Sequence, residues 1–135
     1  MGVFKAYDVR GVYPSQIDAA FAENLGAAVV THLKARRIAV GRDVRTSAPV
    51  IAEAVARGAS KAGAEVTDIG LATTPMLYFA VGHLQLDGGI MVTASHNPPE
   101  WIGFKICRER AYPVGEATGL KEIAALMDHT ASAPG

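Results

Sequence analysis

Short apolar runs alternate with longer stretches of helical spacing along this chain, and that alternation admits few architectures. Residues 6–12 form a short β-prone piece that carries charges. Ile17, Phe21, Leu25, Val29 and Leu33 then recur at intervals of four, which marks one buried helix face, with Ser15 as its cap and Asp18 following in the first turn. Residues 37–40 read as a strand ending at Gly41-Arg42-Asp43. Thr46 or Ser47 opens a second helix that tolerates Pro49 in its first turn; Ile51, Val55, Ala59 and Ala62 mark its buried face and Gly63 stops it. Residues 65–69 make a third strand closed by Gly70, and Thr74-Pro75 reads as a cap followed by the first residue of a helix reaching to about Leu84. Residues 90–92, behind Gly88-Gly89, and residues 104–107 are two further strands, and residues 120–127 return to helical spacing. This order predicts a three-layer α/β/α domain on a mixed, mostly parallel sheet. A chain of 135 residues, half of it apolar, suffices for one such core. Residues 1–130 are expected to form that domain, with the small, proline-containing segment 131–135 as a linker toward a second domain.

In sheets of this kind ligand groups gather in loops at the carboxyl ends of strands. Three polar clusters fall there: Tyr7-Asp8-Val9-Arg10-Gly11, Gly41-Arg42-Asp43-Val44-Arg45, and Thr93-Ala94-Ser95-His96-Asn97-Pro98-Pro99. Thirteen basic residues balance thirteen acidic ones, so the basic footprint of a general nucleic-acid binder is missing. The single Cys107 excludes an internal disulfide and fits a reducing, cytoplasmic setting. The N-terminus reads as neither signal peptide nor membrane span. His32, His83, His96 and His129 lack metal-ligand spacing, and His32 falls on the apolar face of the first helix as a packed or boundary residue. No Gly-x-Ser-x-Gly elbow, Gly-x-Gly-x-x-Gly fingerprint or P-loop is present, which disfavours a hydrolase or nucleotide-binding reading.

The third cluster is the most informative. A buried-strand run ends abruptly at Thr93, and two prolines forbid further pairing and stiffen the turn. Asn97, ahead of a proline, is pushed toward extended geometry. Ser95 is thereby held on a rigid polar loop at a strand exit, as suits a hydroxyl that meets a ligand in one fixed place. Ser, Asn and Pro are also ordinary turn formers, so composition alone leaves a merely structural loop open. Residue for residue, however, Thr93-Ala94-Ser95-His96-Asn97-Pro98-Pro99 resembles the phosphoserine loop of the α-D-phosphohexomutases of the phosphomannomutase/phosphoglucomutase type. Lys5-Ala6-Tyr7-Asp8-Val9-Arg10-Gly11 and Gly41-Arg42-Asp43-Val44-Arg45 resemble that family's first two signatures, and Gly103-Phe104-Lys105 resembles the segment after the serine loop. The motifs stand in the family's order, and the resemblance is to its first domain only.

The resemblance implies that Ser95 carries a phosphoryl group, donates it to a mannose or glucose monophosphate, and recovers the other phosphoryl group of the bisphosphorylated sugar. Hexose 1-phosphate and hexose 6-phosphate are thereby interconverted. It implies Mg²⁺, with Ser95 supplying one oxygen and the main ligands in a missing domain, and a bisphosphorylated hexose as activator and intermediate. Tyr7 and Arg10 would contact the substrate, Arg10 chiefly as an electrostatic stabiliser. Lys105 would lie near the serine oxygen and exchange the transferred proton. His96 would bond sugar or phosphate oxygens without acting as the base for Ser95, since neighbours in extended chain face opposite ways. Arg42 would lie on the substrate side. Each has a plainer alternative: Arg10 as a surface residue paired with Asp8, Lys105 facing solvent, and Arg42, Asp43 and Arg45 as a self-satisfied charged turn rather than a support that orients the serine loop.

The family commonly reads Tyr-Asn-Gly-Phe-Lys where this chain has Trp101-Ile102-Gly103-Phe104-Lys105. Ile102 cannot supply an asparagine's hydrogen bonds, which leaves a loop held differently or an isoleucine packed against a neighbouring domain. The family's later metal, sugar and phosphate-clamp motifs do not occur in this sequence. Expected partners are therefore a hexose phosphate and the remaining domains of the intact mutase, with no nucleic acid and no membrane, and this fragment alone is expected to be inactive. The alternative reading is a stand-alone module that binds sugar phosphates or regulates a mutase without catalysis.

Overall fold

The computed structural model describes residues 2–132. Five strands, β1 (Val9–Val12), β2 (Arg37–Arg42), β3 (Glu65–Leu71), β4 (Gly88–Val92) and β5 (Trp101–Arg108), form one sheet in the order β1-β5-β4-β2-β3. Between and after them run helices α1 (Ala19–Leu33), α2 (Ala48–Lys61), α3 (Thr74–His83) and α4 (Leu120–Ser132). β2 pairs parallel with β3 and β4, and β5 pairs antiparallel with β4 and β1. Only β5 opposes the common direction. Residues 93–100, which carry the serine cluster, reverse the chain directly, without the crossover helix that a parallel neighbour requires.

Strand alternation sorts side chains into two cores. Ile38, Val40, Ile90, Val92, Phe104 and Ile106 pack against α1, α2 and α4, whereas Ala39, Met91 and Cys107 meet Leu77 and Val81 of α3. The expected three layers follow. α1 and α2 cross with their backbones in contact, because a Cβ on Gly26 would run into the Val55 carbonyl and one on Gly58 into the Glu23 carbonyl.

Several boundaries differ from the sequence reading. Asp18, not Ser15, caps α1, its Oδ1 accepting from the Phe21 N–H at 2.8 Å. Ile17 lies before the helix yet is wholly buried, folded onto the core as residues preceding a cap often are. Thr73, not Thr74, caps α3, which places Pro75 one residue further into the first turn. Ser47 does stand at the cap of α2, but its side chain makes no capping bond. Ala62 is exposed beyond the end of α2, and Gly63 turns the chain there at φ +106°. β2 and β5 extend past their expected ends, and Gly88-Gly89 belong to β4. Ile102 is fully buried in this domain's own core, which removes the reading of a contact with a neighbouring domain. Of the expected linker, Ala131 and Ser132 complete α4, and residues 133–135 lie outside the described residues. No helix among the described residues is long and apolar enough to cross a membrane.

Candidate functional site

β4 is buried along its whole length, and its exit is where the chain first meets water. Thr93 and Ala94 remain buried, while Ser95 and His96 are exposed. The Asn97 N–H donates to the Ala94 carbonyl at 3.1 Å, closing a turn with Ser95 at its first central position. Ser95 has φ +55°, the left-handed region, which costs a non-glycine residue roughly 1–2 kcal/mol. The Thr93 hydroxyl accepts from the Ser95 N–H at 3.0 Å and supports the turn from behind. His96 follows a left-handed residue, so the alternation expected of extended chain does not govern its direction.

What holds this turn is Arg45. Its Nη2 donates to the carbonyls of Ser95 at 2.7 Å and Asn97 at 2.8 Å; its Nη1 donates to those of Pro98 at 2.7 Å and Trp101 at 3.1 Å. One planar guanidinium thus binds four main-chain oxygens of one loop, which the point charge of a lysine cannot match. Asp43 sets the arginine in place: its Oδ1 accepts from the Arg45 N–H at 3.0 Å and its Oδ2 lies 3.4 Å from Nε. Asp43 is itself tied to β4, its N–H donating to the Val92 carbonyl at 3.0 Å. Of the two readings of the charged turn, support of the serine loop is therefore the one observed, and Arg45 carries it. Arg42 behaves differently. Its Nη1 lies near Gly70 on the β3 flank, and its side chain makes no hydrogen bond or ion pair among the described residues.

The second cluster of charge comes from the opposite side of the loop. Asp8 immediately precedes β1 and is only 7% exposed. Its Oδ1 accepts from Arg10 Nε at 3.0 Å, and its Oδ2 from Lys105 Nζ at 3.5 Å. Arg10 Nη1 goes on to donate to Asn97 Oδ1 at 3.1 Å. The pairing of Arg10 with Asp8 and its approach to the serine loop thus coexist, and Lys105 is turned into the same cluster rather than left in solvent. Tyr7 is 82% exposed, beside Gly115. A shallow hollow of about 350 Å³ lies along Asp43, Arg45, Thr46, Ser95, Asn97 and Pro99.

The serine loop is therefore gripped through its carbonyls by Arg45 and through Asn97 by Arg10, and Arg10 shares one carboxylate with Lys105. It offers no metal cage: no three His, Cys, Asp or Glu side chains gather anywhere among the described residues. Cys107 is no competing nucleophile, because burial pushes its thiol up to about 12. Sequence reasoning weighed Arg45 as a support of the serine loop and Asp8 as a partner of Arg10 but counted neither among the site residues; the signal for both was their place within the two charged signatures.

A family model described as "Phosphoglucomutase/phosphomannomutase, alpha/beta/alpha domain I" matches residues 1–133. A phosphomannomutase of Klebsiella pneumoniae is 44% identical over 97% of this chain and 83% of its own length. A phosphomannomutase of Escherichia coli is also 44% identical over 97% of this chain, which spans only 29% of that protein. The crystal structure of a phosphoglucomutase/phosphomannomutase family protein from Burkholderia thailandensis superposes with a TM-score of 0.87 at 33% identity, covering 96% of this chain and 30% of that one.

Proposed function

The chain belongs to the phosphoglucomutase/phosphomannomutase family as its α/β/α domain I, and on that premise we propose that it is the phosphoserine-bearing part of a mutase that interconverts hexose 1-phosphate and hexose 6-phosphate. The observation that carries this reading is the serine turn: an exposed hydroxyl on strained backbone, clamped by Arg45 and faced by Arg10. Phosphoryl transfer asks mainly for position and charge stabilisation, and those are what such a cluster supplies.

In the reaction proposed, the bond from phosphorus to Ser95 Oγ breaks as a bond from phosphorus to a sugar hydroxyl oxygen forms. In this proposal the Lys105 ammonium, paired with Asp8, gives a proton to Oγ as it takes up the proton of the sugar hydroxyl, so its charge is unchanged across the step. After the sugar turns over, its other phosphoryl group returns to Oγ and the proton moves back. Arg10 and Lys105 offset the charge on the transferring oxygens, and Tyr7 and His96 line the approach. Arg42, remote from the loop's bonds, is the weakest member of the expected set.

Mg²⁺ supplies further charge neutralisation in this reading. A hard cation wants several oxygens, and this domain presents Ser95 with cations around it, so the principal ligands come from residues outside the chain. The substrate's distal phosphate and hydroxyl pattern are read there too, because the chain spans less than a third of its E. coli relative. The isolated domain should accordingly fold without turning over hexose phosphates, and the setting proposed is the cytoplasm.

The test is intact-protein mass spectrometry and turnover of a full-length mutase carrying this domain. One phosphate should map to the peptide containing Ser95, and Ser95→Ala should abolish turnover. A phosphate elsewhere, with Ser95 dispensable, defeats the reading. A stand-alone binding module would instead bind hexose phosphate in the 135-residue form with no phosphoserine detectable.

A further inference from the structure

Building on that reading of Ser95, we propose that Asp8 is a positioning residue for the reaction: one buried carboxylate that holds Arg10 and Lys105 as a single unit against the serine loop. The two cations come from different strands, β1 and β5. Left to themselves, two long like-charged side chains on adjacent strands repel and spread into water over many rotamers. Asp8 stands between them because of register. β1 and β5 pair Val9 with Phe104, and the same register carried one residue further sets Asp8 opposite Lys105.

Each carboxylate oxygen then serves one cation. Oδ1 takes Arg10 Nε at 3.0 Å and Oδ2 takes Lys105 Nζ at 3.5 Å. With Nε on Asp8 and Nη1 on Asn97, the guanidinium is fixed at two points, and Nη2 has no partner among the described residues. Nη2 is thus free for an oxygen arriving from outside. An anion inside a phosphate-handling site would ordinarily repel its ligand. Here the carboxylate's side chain is only 9% exposed, against 35% for Arg10 and 28% for Lys105, so it lies behind the cations it holds. Two positive charges and one negative leave the cluster net positive with its self-repulsion relieved. An ordinary surface ion pair contributes little, but this carboxylate is buried and shared.

The experiment uses a full-length mutase containing this domain and follows turnover of a hexose 1-phosphate. Asp8→Asn, close to isosteric, should lower kcat by about 30-fold or more while changing KM less than about three-fold, the mark of an effect exerted in the transition state. In a Lys105→Ala background the loss from Asp8→Asn should shrink by about five-fold or more, because half of what Asp8 holds is already gone. Asp8→Glu keeps the charge and should retain kcat within about ten-fold. ¹⁵N NMR of the 135-residue chain should show faster exchange of the Arg10 Nε–H in Asp8→Asn. An Asp8→Asn enzyme with unchanged kcat, or a loss undiminished in the Lys105→Ala background, overturns the proposal. Should the Asn variant fail to fold, Asp8→Glu decides: a folded Glu enzyme as impaired as Lys105→Ala overturns it equally. Ser95→Ala, assayed alongside, separates the two levels. Turnover surviving Ser95→Ala sinks the reading of Ser95 itself, whereas loss there with Asp8→Asn unaffected sinks only the role of Asp8.

Discussion

Arg45→Met keeps the aliphatic stem of the clamp and removes its donors. Four bonds to the loop are lost, and they are not equivalent. Those to Ser95 and Pro98 are exposed, so water replaces the donor at little cost. Those to Asn97 and Trp101 are part-buried. A bond to a charged group contributes about 1.5–3 kcal/mol, which sets the two at about 3–6 kcal/mol together. Asp43 also loses its ion-pair partner. Against this, a released loop regains roughly 1–2 kcal/mol per freed residue, and its carbonyls rehydrate. The remaining bonds, from Arg10 and from the two main-chain turns, limit that release to the residues around Ser95. The expected net loss is about 2–3 kcal/mol, a fall in Tm of about 6–12 °C for a domain of this size. Circular-dichroism melting of the isolated chain measures the total. Hydrogen exchange locates it: the Asn97 and Trp101 amides should lose protection while those of α1 and α2 keep theirs. Arg45→Lys should recover less than half, since one ammonium cannot reach four carbonyls spread across a plane. A Met variant that melts within a degree or so of wild type, with loop amides still protected, would refute the view that Arg45 holds the turn.

Lys105→Ala in a full-length mutase should lower kcat by a larger factor than it raises KM; a change confined to KM would make the lysine an ordinary phosphate binder. Ser95→Gly should leave the isolated domain about 1 kcal/mol more stable than Ser95→Ala, because only glycine adopts φ +55° without strain, and denaturant midpoints compare the two directly. Gly58→Ala gains about 1 kcal/mol in helix propensity but drives a Cβ into the Glu23 carbonyl, for a net loss of about 1–2 kcal/mol; Gly82→Ala, with nothing within 4 Å, should be neutral or stabilising in the same melts. Hydrogen bonds from Lys61 and Arg57 hold the Glu23 carboxyl below its ordinary 4.5, so its contribution is present at neutral pH, begins to fade as pH falls below 4.5 and is lost through the lowered folded value; Glu23→Gln should flatten that part of the acid-stability curve.

The strand–helix order was legible because each element answers to a local period. Leu25 and Val29 in α1, Ile51 and Val55 in α2, and the buried run of β4 all repeat at their element's own spacing. The errors have the same origin. Ile17 keeps the spacing of α1 although it lies outside the helix, because a residue folded back before a cap is buried just as a helical one is. Ala62 also keeps the spacing of α2, but it stands past the helix end, just before Gly63 turns the chain, and is exposed. Apolar spacing is thus blind to where the backbone enters and leaves a helix. Ile102 misled for another reason: as a departure from a family pattern it invited an external explanation, whereas its place in β5 faces it into the core shared with α1, α2 and α4.

The site was legible only where its chemistry lies in one contiguous string. Ser95 stood out in the seven-residue cluster that carried the resemblance. Arg45 and Asp8 act across 50 and 97 positions, and no local spacing announces which charged residue will face which loop. The strain at Ser95 makes the connection between them physical. A non-glycine residue in left-handed backbone persists where its surroundings over-determine it. Here Arg45 grips the carbonyls on either side of the turn, Thr93 holds the Ser95 N–H, and Arg10 holds the side chain of Asn97. Glycine would satisfy that backbone at lower cost, but it has no hydroxyl. Serine at this strained position supplies a hydroxyl that glycine lacks, and the role proposed for Ser95 needs that oxygen in one place.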